Sequence, residues 1–253
     1  MVRDKTMLKP VARKSLSDAV YDQLSSEIVH GRMEPGTPLP SERHLCDLLN
    51  VNRGAVREAL KRLSQAGLIS IQHGGSAKVL NFKQTANLDL LTRLLFHSDG
   101  TIDLRVARSA MEMRAAMAPD IARLCARRRE PIHTAQLADL VAAMTSHQGD
   151  LPRLQTLALQ FWNVLAVGSG NIAYQLVFNS LRDTYERLRE LLVDVLSAEL
   201  SDLPAYRAIA EAVQRGDDLS AAAVARTLME HGTSAIFQLI AAIEEAEDGD
   251  QSA

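Results

Sequence analysis

Cysteine, aromatic residues and long apolar runs are all scarce in this sequence of 253 residues. The two cysteines, Cys46 and Cys125, belong to no C-x-x-C pair and have no histidine or cysteine at the spacing of metal ligands. A disulfide scaffold or a zinc finger is therefore not expected, and a reducing cytoplasm is the predicted compartment. No run of about 18 apolar residues occurs, so no membrane-spanning helix is expected. The charged first residues lack the apolar segment of a secretory signal.

Motifs of the common enzyme classes are also missing. The sequence contains no G-x-S-x-G, no G-x-x-x-x-G-K-[ST], no H-E-x-x-H and no G-x-G-x-x-G between a strand and a helix. Lys83 is the only lysine after position 80, which argues against a fused aminotransferase-like domain with a pyridoxal phosphate site. We therefore predict that the protein is not an enzyme, has no catalytic residues and needs no cofactor.

Charge is unevenly distributed along the chain. The formal net charge is −3, yet the first 80 residues contain 12 Lys and Arg against 8 Asp and Glu. The other 173 residues contain 16 basic and 23 acidic side chains. A mildly basic first third followed by an acidic remainder predicts two modules with different partners.

Three helices are predicted in the first part of the chain. One follows Ser15, and a second begins near Ser41, a suitable N-cap, and ends near Leu49. After a short polar break at residues 50–52, a third helix runs from about 53 to 66. The side chains expected to face the core of these helices are Val20, Leu24, Ile28, Leu45, Leu48, Leu49, Val56, Leu60 and Leu63.

A hairpin is predicted after the third helix. Residues 68–72 alternate like a strand, residues 73–75 form a turn, and residues 77–79 return as a second strand. Three helices followed by a hairpin are the order of a winged helix-turn-helix, in which the short break between the second and third helices is the turn. We assign residues 10–80 to this domain.

In a winged helix-turn-helix the third helix enters the major groove of DNA with its N-terminal residues leading. Arg53 or Arg57 can donate two hydrogen bonds to O6 and N7 of guanine, the commonest base-specific contact. The alternative is a structural module whose arginines form a solvated face, but the order of elements and the clustered positive charge favour DNA binding. The predicted DNA-contacting residues are Arg43, Asn52, Arg53, Gly54, Ala55, Arg57, His73 and Gly74.

The run PLPSERHLCDLLNVNRGAVREALKRLSQAGLISIQHGG resembles the DNA-binding domain of the GntR family of bacterial transcription regulators. The resemblance covers about residues 15–80. The residues that it implies contact operator DNA are Arg43, Arg53, Gly54, Arg57, His73 and Gly74. Asn52 stands where the family often has Ser or Thr, which leaves the preferred DNA sequence open. The resemblance also implies that a homodimer binds a short inverted repeat of double-stranded DNA.

The rest of the chain is predicted to be helical. Residues 81–86 are short and polar, as in a linker, and residues 87–247 form an all-α bundle that binds a ligand and dimerises. The acidic segment after 244 is expected to fray. The predicted helices are 87–97, 103–127, 134–148, 151–167, 172–196, 205–214 and 219–244.

This second domain resembles that of the FadR subfamily. Glu112-Met113-Arg114 falls early in a long helix, as the E-x-R of that subfamily does. Phe161-Trp162 followed by the glycine-containing stretch 168–171 resembles its F-H…A-S-G-N segment, and residues 208–231 resemble its A-I…G-D…A-A…H ending. The fold class is therefore mostly α: an N-terminal winged helix-turn-helix and a C-terminal helical effector bundle.

One departure from the subfamily concerns metal binding. Many members hold a metal through an Asp and three His, and the matching positions here are Ala158, Trp162, Tyr206 and His231. A single imidazole does not make a first-row metal site, so no metal is predicted. His231 itself fits a packed or solvent-facing helix histidine better than a ligand contact.

Two classes of effector are consistent with the sequence of the second domain. Loss of the metal ligands is typical of the fatty-acid-responsive branch, which implies a long-chain acyl-CoA, and an organic or sugar acid is the alternative. Arg114 is a candidate anchor for a thioester, carboxylate or phosphate, whereas aromatic residues at helical spacing more often belong to a plain core than to a pocket. The candidate ligand-binding residues are Arg114, Trp162, Tyr174, Tyr185, Tyr206, His231, Thr233 and Phe237.

Two functions are consistent with the sequence. The first is a transcription regulator, most simply a repressor, whose affinity for its operator changes when the effector binds. The second is an architectural DNA-binding protein without an effector. Equal affinity for an operator and a scrambled sequence would indicate the second.

Overall fold

The computed structural model describes residues 15–72, 76–97 and 100–250, with only the backbone for residues 247–250. It divides into two compact units, Met1–Gly100 and Thr101–Ala253. The predicted fold class is confirmed: the first unit is a winged helix-turn-helix and the second is helical throughout its described residues.

Local capping explains where the first three helices begin. The Ser15 hydroxyl accepts the N–H of Asp18, whose carboxylate accepts the N–H of Ser15, so both groups at this helix start are satisfied. Asn52 caps the third helix by accepting the N–H of Ala55. Asn50, with a φ of 50°, makes the turn before it in a left-handed conformation that Asn tolerates. The elements are α1 (Leu16–Val29), α2 (Glu42–Leu49), α3 (Arg53–Gln65), β1 (Ile69–Ile71) and β2 (Ala77–Val79).

The core of the first unit lies between α1, α3 and the hairpin. Most of the predicted inward-facing residues are buried there, including Val56 and Leu63. In α2 Leu45 is buried and Leu49 packs at the edge of the core, but Leu48 is 61% exposed, so the prediction for Leu48 is wrong. Successive helix residues point about 100° apart, and the side of α2 that holds Leu48 is left uncovered by the residues that the structure describes.

The wing contains more pairing than the sequence predicted. β1 and β2 are antiparallel, with Ile69 opposite Val79 and Ile71 opposite Ala77. The stretch before α2 lies along the other edge of β2: the N–H of Val79 donates to the Thr37 carbonyl at 2.9 Å. The hairpin is thereby anchored to the segment that leads into α2.

The residues after the wing pack on the first unit and are helical for the most part. They form α4 (Phe82–Thr85), a 3-10 turn (Leu88–Leu90) and α5 (Leu91–Leu95), and Leu90 belongs to the buried core of this unit. The division between compact units falls after Gly100, whereas the sequence placed a linker at 81–86 and the second domain from 87.

Two contacts fasten this segment to the helices of the first unit. The Tyr21 ring lies against the Arg62 guanidinium, 4.4 Å from its centroid, and the Arg93 guanidinium, at 4.5 Å. Arg93 also donates to Asp22 at 2.6 Å. We call Tyr21, Arg62 and Arg93 the arginine–tyrosine stack. It joins α1, α3 and α5.

The Gly67→Ala variant is expected to loosen α4 from the end of α3. Gly67 has a φ of 72°, and a Cβ there would lie 2.3 Å from the backbone oxygen of Thr85. The left-handed conformation alone costs about 1–2 kcal/mol for alanine, and the clash adds to it because a backbone carbonyl cannot rotate away. Urea unfolding measures the total, and hydrogen exchange of residues 82–86 measures the loosening.

Gly31→Ala is the matched control for this variant. Gly31 has a φ of 76°, and a Cβ built there would meet no described atom within 4 Å beyond its chain neighbours. The Gly31→Ala variant therefore introduces the same backbone strain as Gly67→Ala but no clash. An equal loss of stability in the two variants would show that the contact with Thr85 contributes nothing.

The second unit is a bundle in which the first long helix packs along the last. The predicted helix 172–196 is broken at Leu188, where the buried Gln155 amide donates to the Arg189 carbonyl at 2.9 Å. The last helix extends through the acidic segment that was expected to fray. The helices are α6 (Leu104–Arg128), α7 (Pro131–Ser146), α8 (Leu151–Gly168), α9 (Ile172–Arg187), α10 (Arg189–Val195), α11 (Ser197–Ser201), α12 (Leu203–Arg215) and α13 (Asp218–Asp250).

A buried aromatic pair marks the centre of this bundle. Phe161 on α8 and Tyr206 on α12 are both 0% exposed, and their rings meet edge to face with centroids 5.1 Å apart. Across the described residues, no helix is both long enough and apolar enough to cross a membrane.

Candidate DNA-binding surface and effector site

Two arginines of α3 project from the first unit. The side chains of Arg53 and Arg57 are 67% and 63% exposed, and their spacing of four residues places them on one face of the helix. Both donate through Nε to Oε2 of Glu42, at 3.2 Å and 2.9 Å. Arg43 is exposed at the start of the neighbouring helix α2. The exposed beginning of α3 is therefore cationic and accessible.

The other predicted DNA contacts have different positions. Gly54 is exposed in the first turn of α3, whereas Ala55 is 9% exposed and faces the core, so its methyl group does not belong to the surface. Asn52 is exposed, but its side-chain oxygen is engaged in the α3 cap. His73 and Gly74 lie outside the described residues.

An ion pair lies inside the second unit. Arg114 on α6 donates through Nη2 to Oε1 of Glu199 on α11, and the Glu199 side chain is 3% exposed. Burial lowers the pKa of Arg114, but the Glu199 carboxylate raises it more, and the net pKa lies above the usual value. Among the residues that the structure describes, neither Nη1 of Arg114 nor Oε2 of Glu199 has a hydrogen-bond partner. Each half of the pair therefore keeps one free polar atom in the interior.

Aromatic side chains surround this ion pair. Burial raises the pKa of the Tyr206 hydroxyl well above its usual value, and the Glu199 carboxylate raises it further. Burial also raises the pKa of Tyr185 to about 12. The indole N–H of Trp162 lies close enough to the Tyr206 hydroxyl to oppose the rise in the pKa of Tyr206, but among the described residues neither group has a well-formed hydrogen bond. Both tyrosines remain neutral at physiological pH and can donate a hydrogen bond.

The last helix, α13, packs against the carboxylate of this ion pair. A Cβ on Gly232 would lie 1.9 Å from Oε2 of Glu199, so the carboxylate fits against α13 only because this residue has no side chain. Thr233 follows Gly232 in the chain, and its hydroxyl is buried with no hydrogen-bond partner among the described side chains and backbone. We call Arg114, Trp162, Glu199, Tyr206 and Thr233 the interior polar cluster. Five of its buried polar atoms, one each from α6, α8, α11, α12 and α13, have no well-formed hydrogen bond to any described residue.

Three of the predicted ligand-binding residues lie elsewhere. Tyr174 donates its hydroxyl to Asp120 at 2.9 Å, and the ring of Phe237 packs under the Arg108 guanidinium at 4.9 Å. The side chain of His231 is 45% exposed, with Nδ1 at 3.6 Å from Asp202. None of these contacts joins them to the interior polar cluster.

Metal ligands do not gather in the part of the chain that the structure describes. There, no group of three or more His, Cys, Asp and Glu side chains is placed to hold an ion. At the positions where the resemblance implies ligands, Trp162 and Tyr206 contribute to the interior polar cluster instead.

Glu199 is the member of the cluster that the sequence analysis missed. It lies in a short helix between two predicted ones, and its partner Arg114 precedes it by 85 residues. The available signal was Arg114 itself: an arginine on a helix face that also holds Ala118 and Ile121 requires a carboxylate when it is buried. No local pattern identifies which carboxylate that is.

Comparison with known proteins assigns both units. Residues 16–79 match "Bacterial regulatory proteins, gntR family", and residues 109–250 match "FCD domain". "HTH-type transcriptional regulator Mce2R" of Mycobacterium tuberculosis is 37% identical over 233 residues, which are 92% of this chain and 96% of that protein. This chain belongs to the GntR family. It is a transcription regulator with a DNA-binding domain and an FCD domain, and the prediction that it is not an enzyme is confirmed.

Other similarities extend to more distant relatives. A "Fatty acid metabolism regulator protein" of Serratia proteamaculans is 30% identical over 167 residues, 66% of this chain and 68% of that protein. A solved structure described as "Lar controls the expression of the Listeria monocytogenes agr system and mediates virulence" is 15% identical. It covers 90% of this chain and 100% of its own with a TM-score of 0.57, which shows a shared fold. The predicted resemblance to GntR and FadR-like regulators is therefore confirmed.

Proposed function

We propose that this GntR-family regulator is a repressor that binds an inverted-repeat operator as a homodimer and changes its affinity for DNA when a small organic acid enters its helical domain. The observation that carries the effector part is the interior polar cluster, with five buried polar atoms that form no well-aligned hydrogen bond within the described part of the chain. Buried polar groups normally find a partner, and a group left without one is where a ligand or bound water is expected.

The DNA-binding part rests on the exposed start of α3. Arg53 and Arg57 point outward from the same helix face, and Arg43 adds positive charge beside them. These three side chains are proposed to contact the operator, together with the backbone around Gly54. A single module of this size makes few contacts, so two copies on an inverted repeat supply the affinity required at physiological salt.

The hydrogen-bonding capacity of the cluster selects the class of effector. Arg114 and Trp162 can only donate, Tyr206 and Thr233 can donate or accept, and Glu199 can only accept while it is ionised. A matching ligand offers several acceptor oxygens and at least one donor. A hydroxy acid or sugar acid has this combination, with its carboxylate and hydroxyl oxygens facing the donors and one hydroxyl hydrogen facing Glu199.

A long-chain acyl-CoA is the second candidate. It is favoured by the 30% identity to the fatty acid metabolism regulator of Serratia proteamaculans. Its thioester and amide groups supply acceptors and donors, but its alkyl chain needs an apolar channel beside the cluster. The two candidates therefore differ in how much apolar surface the ligand buries.

Trp162 provides a direct measurement because it is the only tryptophan in the chain. We expect its fluorescence to change when hydroxy acids and sugar acids are titrated into the full-length protein, and not when palmitoyl-CoA is titrated. The same acid should release a fluorescent operator duplex, selected beforehand from random sequences, as measured by anisotropy. A ligand changes DNA affinity only through its different affinity for the two states of the dimer.

Thr233→Val is the matched variant for this titration. It removes the hydroxyl and nearly preserves the shape of the side chain, so the protein should fold while the acid binds about tenfold more weakly. A response to palmitoyl-CoA alone would replace the organic acid with the second candidate. If no ligand of either class changes the Trp162 signal or releases DNA, the cluster is not the effector site.

A further inference from the structure

Glu42 occupies an unusual place for an acidic residue on a DNA-binding surface. It lies in the first turn of α2, and its Oε2 atom accepts from Nε of both Arg53 and Arg57 on α3. Its own side chain is 22% exposed, whereas the two arginines are 67% and 63% exposed. The Glu42 carboxylate is therefore less exposed than the two arginine side chains, which extend past it toward solvent.

The choice of donor atom determines which part of each arginine is left available. Arg has five N–H donors in a planar fork, and Nε carries one of them, on the stem side of the guanidinium. Among the described residues, the structure gives Arg53 and Arg57 no hydrogen bond except the one through Nε. The Nη atoms, which form the end of the fork, remain free to donate to a partner outside the protein.

The Glu42 carboxyl is ionised at neutral pH. The hydrogen bond from Arg57 lowers the pKa of its carboxyl below the usual value. An ionised carboxylate close to DNA opposes the attraction between phosphates and the neighbouring arginines. For simple electrostatic attachment this residue is therefore unfavourable, and its position calls for another role.

We propose that Glu42 is a positioning residue for operator selectivity: it holds both guanidinium groups so that their Nη atoms face base edges, and its charge weakens binding to DNA of other sequences. This inference rests on the proposed function of Arg53 and Arg57. Arginine side chains have several rotatable bonds, and holding them in advance reduces the entropy lost when they bind. The same carboxylate cancels part of the positive charge that attracts any phosphate backbone.

The test uses the Glu42→Gln variant of the full-length protein. Operators are first selected with the wild type from a pool of random duplexes, and affinities are then measured for the best sequence and for a scrambled one. We expect the ratio of these affinities to fall about tenfold in the variant. The affinity for the scrambled duplex itself should rise, and rise most at low salt.

Glu58→Gln is the matched control for charge. Glu58 is exposed on α3 and has no hydrogen bond or ion pair with any described residue. Removing its charge should change the affinities for both duplexes by the same factor. In a combined variant with Arg53→Ala and Arg57→Ala, the ratio of the two affinities should no longer respond to Glu42→Gln, because the groups that Glu42 positions are absent. A merely structural role would persist in that background.

Each outcome decides the proposal. If Glu42→Gln is unstable in urea unfolding, Glu42→Asp replaces it, since Asp keeps the charge at the helix start but is too short to reach both Nε atoms. An unchanged ratio in the variant that folds would reject the positioning role and leave DNA binding intact. If the wild type itself selects no sequence, both this inference and the proposed function fail.

Discussion

The Arg53→Ala variant is expected to lose about 1–3 kcal/mol of operator binding, which is the range measured for one well-placed arginine on guanine. Arg57→Ala should lose a similar amount. Their exposed positions in the first two turns of α3 are the reason, because the residues that lead this helix into the major groove are the ones that reach base edges. Anisotropy titrations against the selected and scrambled duplexes give both affinities.

Lys61→Ala is the control for charge in this experiment. Lys61 is exposed on the same helix, one turn beyond Arg57. Its loss should weaken binding to both duplexes about equally and reduce the dependence on salt. The arginine variants should instead relax the choice of sequence. If Arg53→Ala and Arg57→Ala weaken binding to both duplexes by one common factor, these arginines contact phosphates and do not read bases.

The second large effect concerns the stability of the helical unit. Glu199→Ala is expected to destabilise it by about 3–5 kcal/mol, because Arg114 then keeps its charge in the interior without a counterion. The Arg114 side chain is 23% exposed and the Glu199 side chain 3%, so water solvates the remaining arginine only in part. Urea unfolding followed by Trp162 fluorescence reports on this unit alone.

The double variant Arg114→Met/Glu199→Leu removes both charges. It tests whether the instability of Glu199→Ala comes from the unpaired arginine. Replacing both charges with apolar side chains of similar size is often neutral or stabilising. We expect this variant to be far more stable than Glu199→Ala and to have lost its response to the effector. Glu230→Ala, which removes an exposed glutamate from α13, should change stability by less than about 0.5 kcal/mol. Equal stability of Glu199→Ala and the wild type would contradict the importance of the pair.

Local signals in the sequence predicted most of the first unit. The spacing of Val56, Leu60 and Leu63, the cap at Ser41 and the polar break at residues 50–52 each depend on a few neighbouring residues. The winged helix-turn-helix and the exposure of Arg53 followed from them. Leu48 was misplaced because its burial depends on what packs against α2, and this is not encoded within eight residues.

Contacts between distant segments were not predictable in the same way. Thr37 pairs with Val79, the buried Gln155 contacts the backbone beside the break at Leu188, and Glu199 pairs with an arginine of another helix. Each of these contacts joins residues that are far apart in the chain. Of the predicted ligand-binding residues, the cluster contains Arg114, Trp162, Tyr206 and Thr233, with Tyr185 beside the ion pair. The sequence supplied the residue types, and the tertiary fold decided which of them meet.

The arginine–tyrosine stack determines how a movement after Leu95 acts on α3. A flexible tether would transmit only tension, so α3 would keep its orientation until the tether became taut. Arg93 of the segment 82–95 instead contacts Tyr21 and Asp22 of α1, and the same Tyr21 ring contacts Arg62 of α3. We expect an arm attached in this way to transmit torque, so that a small rotation of the segment carries α3 with it.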